Sequence, residues 1–185
     1  MPAPSVSKGA PARAHDMSVI LVTGSYVHVL RFWEAWSGIC SRTIARTGVS
    51  GQVNRLAISP VYRLLAAAIH KRVRIYEIAS ASSEPLVTFE GHTMYVSSVS
   101  FHSEGKWLVT GSVDGTIKIW DLRSSQLHCT YENSAPVYDV CIHPNQGELI
   151  SCDQAGSIYQ WDLSDYVCSH ELFARHLQEM SLSDQ

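Results

Sequence analysis

The chain has 185 residues, 45% of them apolar and 17% charged, enough apolar side chain for a packed core. Its formal net charge of −3 argues against coating nucleic acid or lying on an anionic membrane surface. No apolar run approaches the roughly 18–20 residues a membrane span requires. Five cysteines, at positions 40, 129, 141, 152 and 168, form no CxxC pair. With no secretory signal, that odd count predicts a reducing compartment. Cys141 and His143 have no further clustered ligands, so the thiols are read as buried strand residues rather than a zinc site. No metal or other cofactor is expected.

Residues 1–17 open with MPAPSVSKGAPARAHD, a stretch rich in Ala, Pro and Ser. Such a composition cannot bury enough surface to order itself and predicts a disordered extension. A patterned region follows over 18–172. Its first segment, Val22–Trp33, reads VTGSYVHVLRFW, and the segment Leu65–Tyr76 reads LAAAIHKRVRIY, with a one-residue slip in its turn. Val109–Trp120 reads VTGSVDGTIKIW and Ile150–Trp161 reads ISCDQAGSIYQW. The closing aromatics Trp33, Tyr76, Trp120 and Trp161 are spaced by 43, 44 and 41 residues. A period of roughly 40–45 residues is that of four-stranded propeller blades.

The segments that precede the copies align as well. Those from Gln52, Tyr95 and Pro136 each carry a Val and alternating apolar positions, then a turn: SPVYR, HSEGK or HPNQG. A second strand follows, then a tight turn such as Asp114–Gly115, a strong hairpin signal. A third strand ends on the aromatic, and a looser outer strand such as Pro85–Phe89 completes the unit. Each unit therefore reads as a four-stranded antiparallel meander that must stack on its neighbours to cover its faces. The first copy lacks an inner strand before Ser18. In the tail, 173–185, the spacing of Phe173, Leu177 and Met180 suits a short amphipathic helix.

The third unit is the fullest, with Gly91–His92 before the inner strand, Thr110 on the second strand, Asp114 in the turn and Trp120 on the third. On these residues the chain resembles the WD-repeat β-propellers. The resemblance implies that His92, Thr110, Asp114 and Trp120 form a hydrogen-bonded tetrad inside one blade. Because they fall at repeat positions, they read as structural residues and not as a catalytic triad, and no enzyme activity is expected. Val27 and Ala155 occupy the aspartate's place in the first and fourth copies, and Tyr76 replaces Trp in the second. Only the third blade is therefore expected to hold a complete tetrad, the others relying on apolar packing. His102 and His143 recur before matching turns and read as repeat grammar.

Longer phrases narrow the resemblance: Thr23–Ile44, Gln52–Pro60, Lys118–Ser124 and His143–Leu163. They resemble the small G-protein-β-like subunits of target-of-rapamycin (TOR) kinase complexes, the plant members above all. The resemblance implies a non-catalytic, seven-bladed scaffold that binds and stabilises the TOR kinase domain and helps to hold other subunits. It also implies a cytoplasmic location, with endomembranes reached through partners. Four copies are visible rather than seven, so the expected fold is all-β, a partial, open arc of about four four-stranded blades. Such an arc is prone to self-association through its open ends. Candidate partner contacts are Trp36, Asn54, Tyr95, Trp107 and Tyr138, polar or aromatic residues at loops and strand starts. An alternative reading takes Trp120-Asp121-Leu122-Arg123 as a box that docks onto the adaptor of cullin-4 ubiquitin ligases, with Arg123 as its contact residue.

Overall fold

The computed structural model describes residues 19–27, 29–45, 51–61, 63–164 and 168–173, and among them every regular element is a strand. The first sheet contains β1 (Ile20–Gly24), β2 (Leu30–Glu34) and β3 (Cys40–Ile44). The second contains β4 (Val53–Ile58), β5 (Leu64–Ile69), β6 (Arg72–Glu77) and β7 (Val87–Glu90). The third contains β8 (Val96–Phe101), β9 (Trp107–Ser112), β10 (Thr116–Asp121) and β11 (Gln126–Glu132). The fourth contains β12 (Val137–Ile142), β13 (Glu148–Asp153), β14 (Ser157–Asp162) and β15 (Cys168–Phe173). Every sheet is an antiparallel meander with its strands in chain order. Sequence-adjacent hairpins account for all of this pairing, which is why the repeat was visible in the sequence.

The first sheet has three strands among the described residues, one fewer than the repeat unit requires. Its β1 corresponds to the second strand of the other sheets, because Leu21 pairs with Trp33 as Leu108 pairs with Trp120. Phe173 closes strand β15 rather than opening a helix, while residues 174–185 and the extension before Val19 lie outside the described residues. The thiols are not buried as expected: Cys40, Cys141 and Cys168 are exposed. Cys40 and Cys168 lie on outer strands, and Cys141 lies on a face of the fourth sheet that no other described sheet covers.

Three cores join the four sheets in series. Leu30, Phe32 and Ile44 of the first sheet pack on Leu65, Ala67, Ile69 and Tyr76 of the second. Ala66, Ala68, Val73, Ile75 and Phe89 of the second pack on Val96, Val99, Leu108 and Trp120 of the third. Val109, Ile117, Ile119 and Tyr131 of the third pack on Val137, Val140, Leu149, Tyr159, Trp161 and Leu163 of the fourth. Strand β5 shows the logic, since a period of two sends Leu65, Ala67 and Ile69 to one neighbour and Ala66 and Ala68 to the other. Among the described residues no buried cluster joins the fourth sheet to the first, and the four sheets they form do not close into a ring.

Candidate functional site

Two features stand out: a polar clasp inside the third sheet, and a loop-lined face with an aromatic hollow. The clasp begins at Gly91, whose φ of +152° favours glycine and where an added Cβ would meet the Trp120 ring at 3.2 Å. This places the His92 ring under the sheet, where Trp120 Nε1–H donates to Thr110 Oγ1 at 2.9 Å. The Thr110 hydroxyl donates to His92 Nε2 at 2.7 Å, and His92 Nδ1–H donates to Asp114 Oδ2 at 3.0 Å. Asp114 further accepts the Thr93 backbone N–H at 2.9 Å, and through Oδ1 the Thr116 N–H at 2.9 Å and hydroxyl at 2.6 Å. Gly115, at φ +80°, closes the turn that carries it.

A single neutral tautomer of His92 satisfies the whole chain of donors and acceptors. Burial lowers the His92 pKa, and the pull of Asp114 only partly opposes this. Burial alone would raise the Asp114 carboxyl, yet the donors from Thr116 and Thr93 and the neighbouring His92 hold it at about 2. The threonine hydroxyl is buried and bonded on both sides. The arrangement locks a loop to a hairpin.

Other sheets keep parts of this clasp, contrary to the expectation of apolar packing alone. Trp33 Nε1–H donates to Thr23 Oγ1 at 2.9 Å, and Trp161 Nε1–H donates to Ser151 Oγ at 2.8 Å. In the fourth sheet Asp153, two residues before the alanine in the aspartate's place, accepts the Ser157 N–H at 2.9 Å and the Asn133 amide at 3.0 Å. A carboxylate can reach the same space from either of two positions on one face of the hairpin. The recurring turns are also alike. Ser59, His102 and His143 each accept the N–H of the residue two further on, at 3.4, 3.1 and 3.3 Å.

Because each sheet is a meander, the strand connections alternate between two opposite faces of the arc. The connections β1–β2, β5–β6 and β9–β10 share one face with the links between sheets. On that face Tyr26, Val27, Gly51, Gln52, Asn54, His70 and Tyr95 line a hollow of ≈ 550 Å³. Tyr26 is 79% exposed, and Val27 and Tyr95 of the same lining are exposed as well. Asn54 is half-buried and donates its amide to Val96 O at 2.9 Å, so it ties β4 to β8 while one edge faces the hollow. Nearby, on the inner strands, Arg55 meets Asp139 at 3.3 Å. Asp139 also accepts the Ser98 hydroxyl.

The candidate contacts therefore divide. Asn54 and Tyr95 meet at the hollow, with Tyr138 on the same face. Trp36, 70% exposed, and Arg123 lie on the opposite face. There Arg123 lines a groove with Leu64, Gly105, Lys106 and Leu122. Trp107 is half-buried, stacked on His128 with centroids 6.0 Å apart and packed against the core between the third and fourth sheets. Of the Trp120–Arg123 box, Trp120 is buried in the clasp, and Asp121 accepts the Arg123 and Ser124 N–H groups at 2.7 and 3.1 Å. Asp121 and Leu122 are partly exposed, and Arg123 is the most exposed of the four. Tyr26 and Val27 were not among the candidates, although an apolar residue where the turn aspartate belongs was a signal that could have found them.

The WD domain, G-beta repeat family matches residues 83–121 and 124–162. The chain is 52% identical over 164 residues to the target of rapamycin complex subunit wat1 of Schizosaccharomyces pombe, covering 89% of this chain and 52% of that protein. It is 53% identical over 156 residues to the target of rapamycin complex subunit LST8 of Saccharomyces cerevisiae, covering 84% and 51%. The LST8-1 subunit of Arabidopsis thaliana matches at 48% over 133 residues, covering 72% and 43%, so the likeness is not greatest with the plant protein. A chain in the crystal structure of the mitotic checkpoint complex superposes with a TM-score of 0.77 at 23% identity, covering 87% of this chain and 49% of that one, a likeness of fold. The chain spans about half the length of the curated relatives it matches.

Proposed function

We propose that this WD-repeat chain, which resembles TOR complex subunits over most of its length, is a scaffold that binds the TOR kinase domain and acts without chemistry of its own. The observation that carries this reading is the 52% identity to a TOR complex subunit over 89% of the chain. The relatives support this reading and lend nothing to the ligase-adaptor alternative. Because about half of each relative is matched, the proposal concerns the surface that these four sheets display.

The hollow beside Tyr26, Asn54 and Tyr95 is the surface best suited to hold a protein partner. It offers large, amphipathic rings at low entropic cost, with amide and imidazole groups at its rim. The clasps and inter-sheet cores hold those loops in place. A cytoplasmic location, shared with the kinase it would hold, belongs to the same proposal.

Affinity purification of the tagged 185-residue chain from cells tests this reading. Recovery of TOR kinase supports it. Recovery of the cullin-4 ligase adaptor without the kinase would overturn it.

A further inference from the structure

The second sheet lacks a hydroxyl that the closing aromatic meets in the other three. Thr23, Thr110 and Ser151 pair with Arg31, Lys118 and Tyr159 and accept the indole N–H of Trp33, Trp120 and Trp161. Ala67, paired with Arg74, holds that place in the second sheet, and Tyr76 is its closing aromatic. The Tyr76 hydroxyl is buried beside Arg74 without a hydrogen bond of normal geometry. The Nε of Arg74, a residue only 9% exposed, has no partner among the described residues either.

Arg42 of β3 meets this seam from the first sheet. Its guanidinium lies over the Phe32 ring, 4.6 Å from the centroid, and donates to Glu77 O at 2.9 Å and to Ser82 O. Its Nε is likewise buried and unbonded, so three of the five such side-chain atoms among the described residues lie at this one seam. Both guanidinium charges act on Tyr76, as does Glu84. Yet no described carboxylate lies within ion-pair distance of either arginine. A hollow of ≈ 320 Å³ opens here, lined in part by Phe32, Ser41, Arg42, Ile78 and Ser80. Ser80 Oγ accepts the Ser82 N–H at 3.1 Å, which leaves its own proton to donate.

We propose that the hollow between the first and second sheets binds a phosphate group, held by Arg42 and the Ser80 hydroxyl, with Arg74 as a second positive charge nearby. Arg42 uses two of its N–H donors on carbonyl oxygens, so its planar fork keeps others for an oxyanion. Two guanidinium charges without a paired carboxylate match a dianion better than a single carboxylate. Burial lowers the Arg42 pKa, and a dianion beside it favours the charged form again. Two sources carry this chemistry. One is free phosphate; the other is a phosphate ester on Ser82, an exposed residue of the loop 78–86 whose carbonyl Arg42 already holds.

Two arms test the proposal and tell the sources apart. In the first, the 185-residue chain is melted in inorganic phosphate and in sodium chloride of equal ionic strength. A saturable rise of about 3 °C or more in phosphate, lost in Arg42→Gln and reduced in Ser80→Ala, assigns free phosphate. In the second, phosphoserine is incorporated at position 82 and the urea midpoint is compared with that of the unmodified chain. A higher midpoint, absent when Arg42→Gln is also present, assigns the loop's own ester. No gain in either arm would overturn the proposal. So would a gain that persists undiminished in Arg42→Gln, because phosphate strengthens burial in folded chains generally. Circular dichroism establishes that each variant keeps its sheets. Should Arg42→Gln lose them, Arg42→Lys, which keeps the charge without the fork, carries the comparison, and an undiminished gain there and in Ser80→Ala would overturn the proposal.

Discussion

Asp153 accepts the Asn133 side-chain amide at 3.0 Å, so the fourth sheet ties its loop to its hairpin with a different pair from the His92–Asp114 pair of the third. The two clasps share their Trp–hydroxyl half and differ in how the carboxylate arrives. Asp114 comes from the turn itself, and Asp153 from the end of the preceding strand. Asp153→Ala is therefore expected to cost about 1–3 kcal/mol, because it leaves buried donors without an acceptor. Urea denaturation monitored by tryptophan fluorescence checks this. A loss below about 0.5 kcal/mol would show that the fourth clasp contributes nothing.

His92→Ala is expected to destabilise by about 1–3 kcal/mol, since it removes the link between Thr110 and Asp114 in a buried site. His92→Asn is expected to lose less, because an amide already fills the corresponding role at Asn133 in the fourth sheet. Urea midpoints for the two variants supply the comparison, and equal losses would argue against that correspondence.

Acid should weaken the fold in two stages. The folded-state pKa of His92 is lowered from 6.5, so below about that pH the unfolded chain takes up a proton the folded chain resists, and stability falls as pH drops. The Asp114 carboxyl is lowered from 3.8 to about 2, so its contribution is present above 3.8 and is lost as pH falls towards 2. Melting temperatures from pH 8 down to pH 4, compared with those of His92→Asn, isolate the first stage. The variant is expected to show the shallower dependence between about pH 6.5 and pH 5.

The axial pair should prove unequal. Arg55 and Asp139 are each about half exposed, so Arg55→Ala is expected to change stability by no more than about 0.5 kcal/mol. Asp139→Ala is expected to cost more, because Asp139 also accepts from the Ser98 hydroxyl that joins β8 to β12. Equal effects in urea titrations would mean that the ion pair, and not the hydroxyl, is the relevant contact.

Much of the fold was legible because each sheet is made of hairpins between neighbours in the chain, and Trp33, Tyr76, Trp120 and Trp161 mark the same register in each. The residues of the third clasp were expected from the resemblance to WD-repeat propellers, at positions that the repeat marks. What the pattern did not reveal depends on space rather than spacing. Ala155 suggested that the fourth sheet had lost its carboxylate, while Asp153 reaches the same place from two residues earlier. Asn54 read as a surface contact, yet its amide is bonded to Val96 O across two sheets, a relation between residues 42 apart. Trp107 likewise found its neighbours in His102 and His128. The place of Tyr26 beside Asn54 and Tyr95 emerged only once the loops of three sheets met at one hollow.

The hollow makes a claim that substitution can separate from folding. Tyr26→Ala and Tyr95→Ala remove exposed rings outside every buried cluster, and each is expected to leave the melting temperature within about 2 °C of the unaltered chain. A drop of several degrees would show that the rings support the fold rather than face a partner.

The most direct measurement of the central claim is titration of the purified 185-residue chain with TOR kinase domain, followed by calorimetry or surface-immobilised binding. Saturable binding is expected, weakened about tenfold or more in the Tyr26→Ala, Tyr95→Ala double variant while its melting is unchanged. A folded chain that shows no saturable binding to the kinase domain would contradict the account.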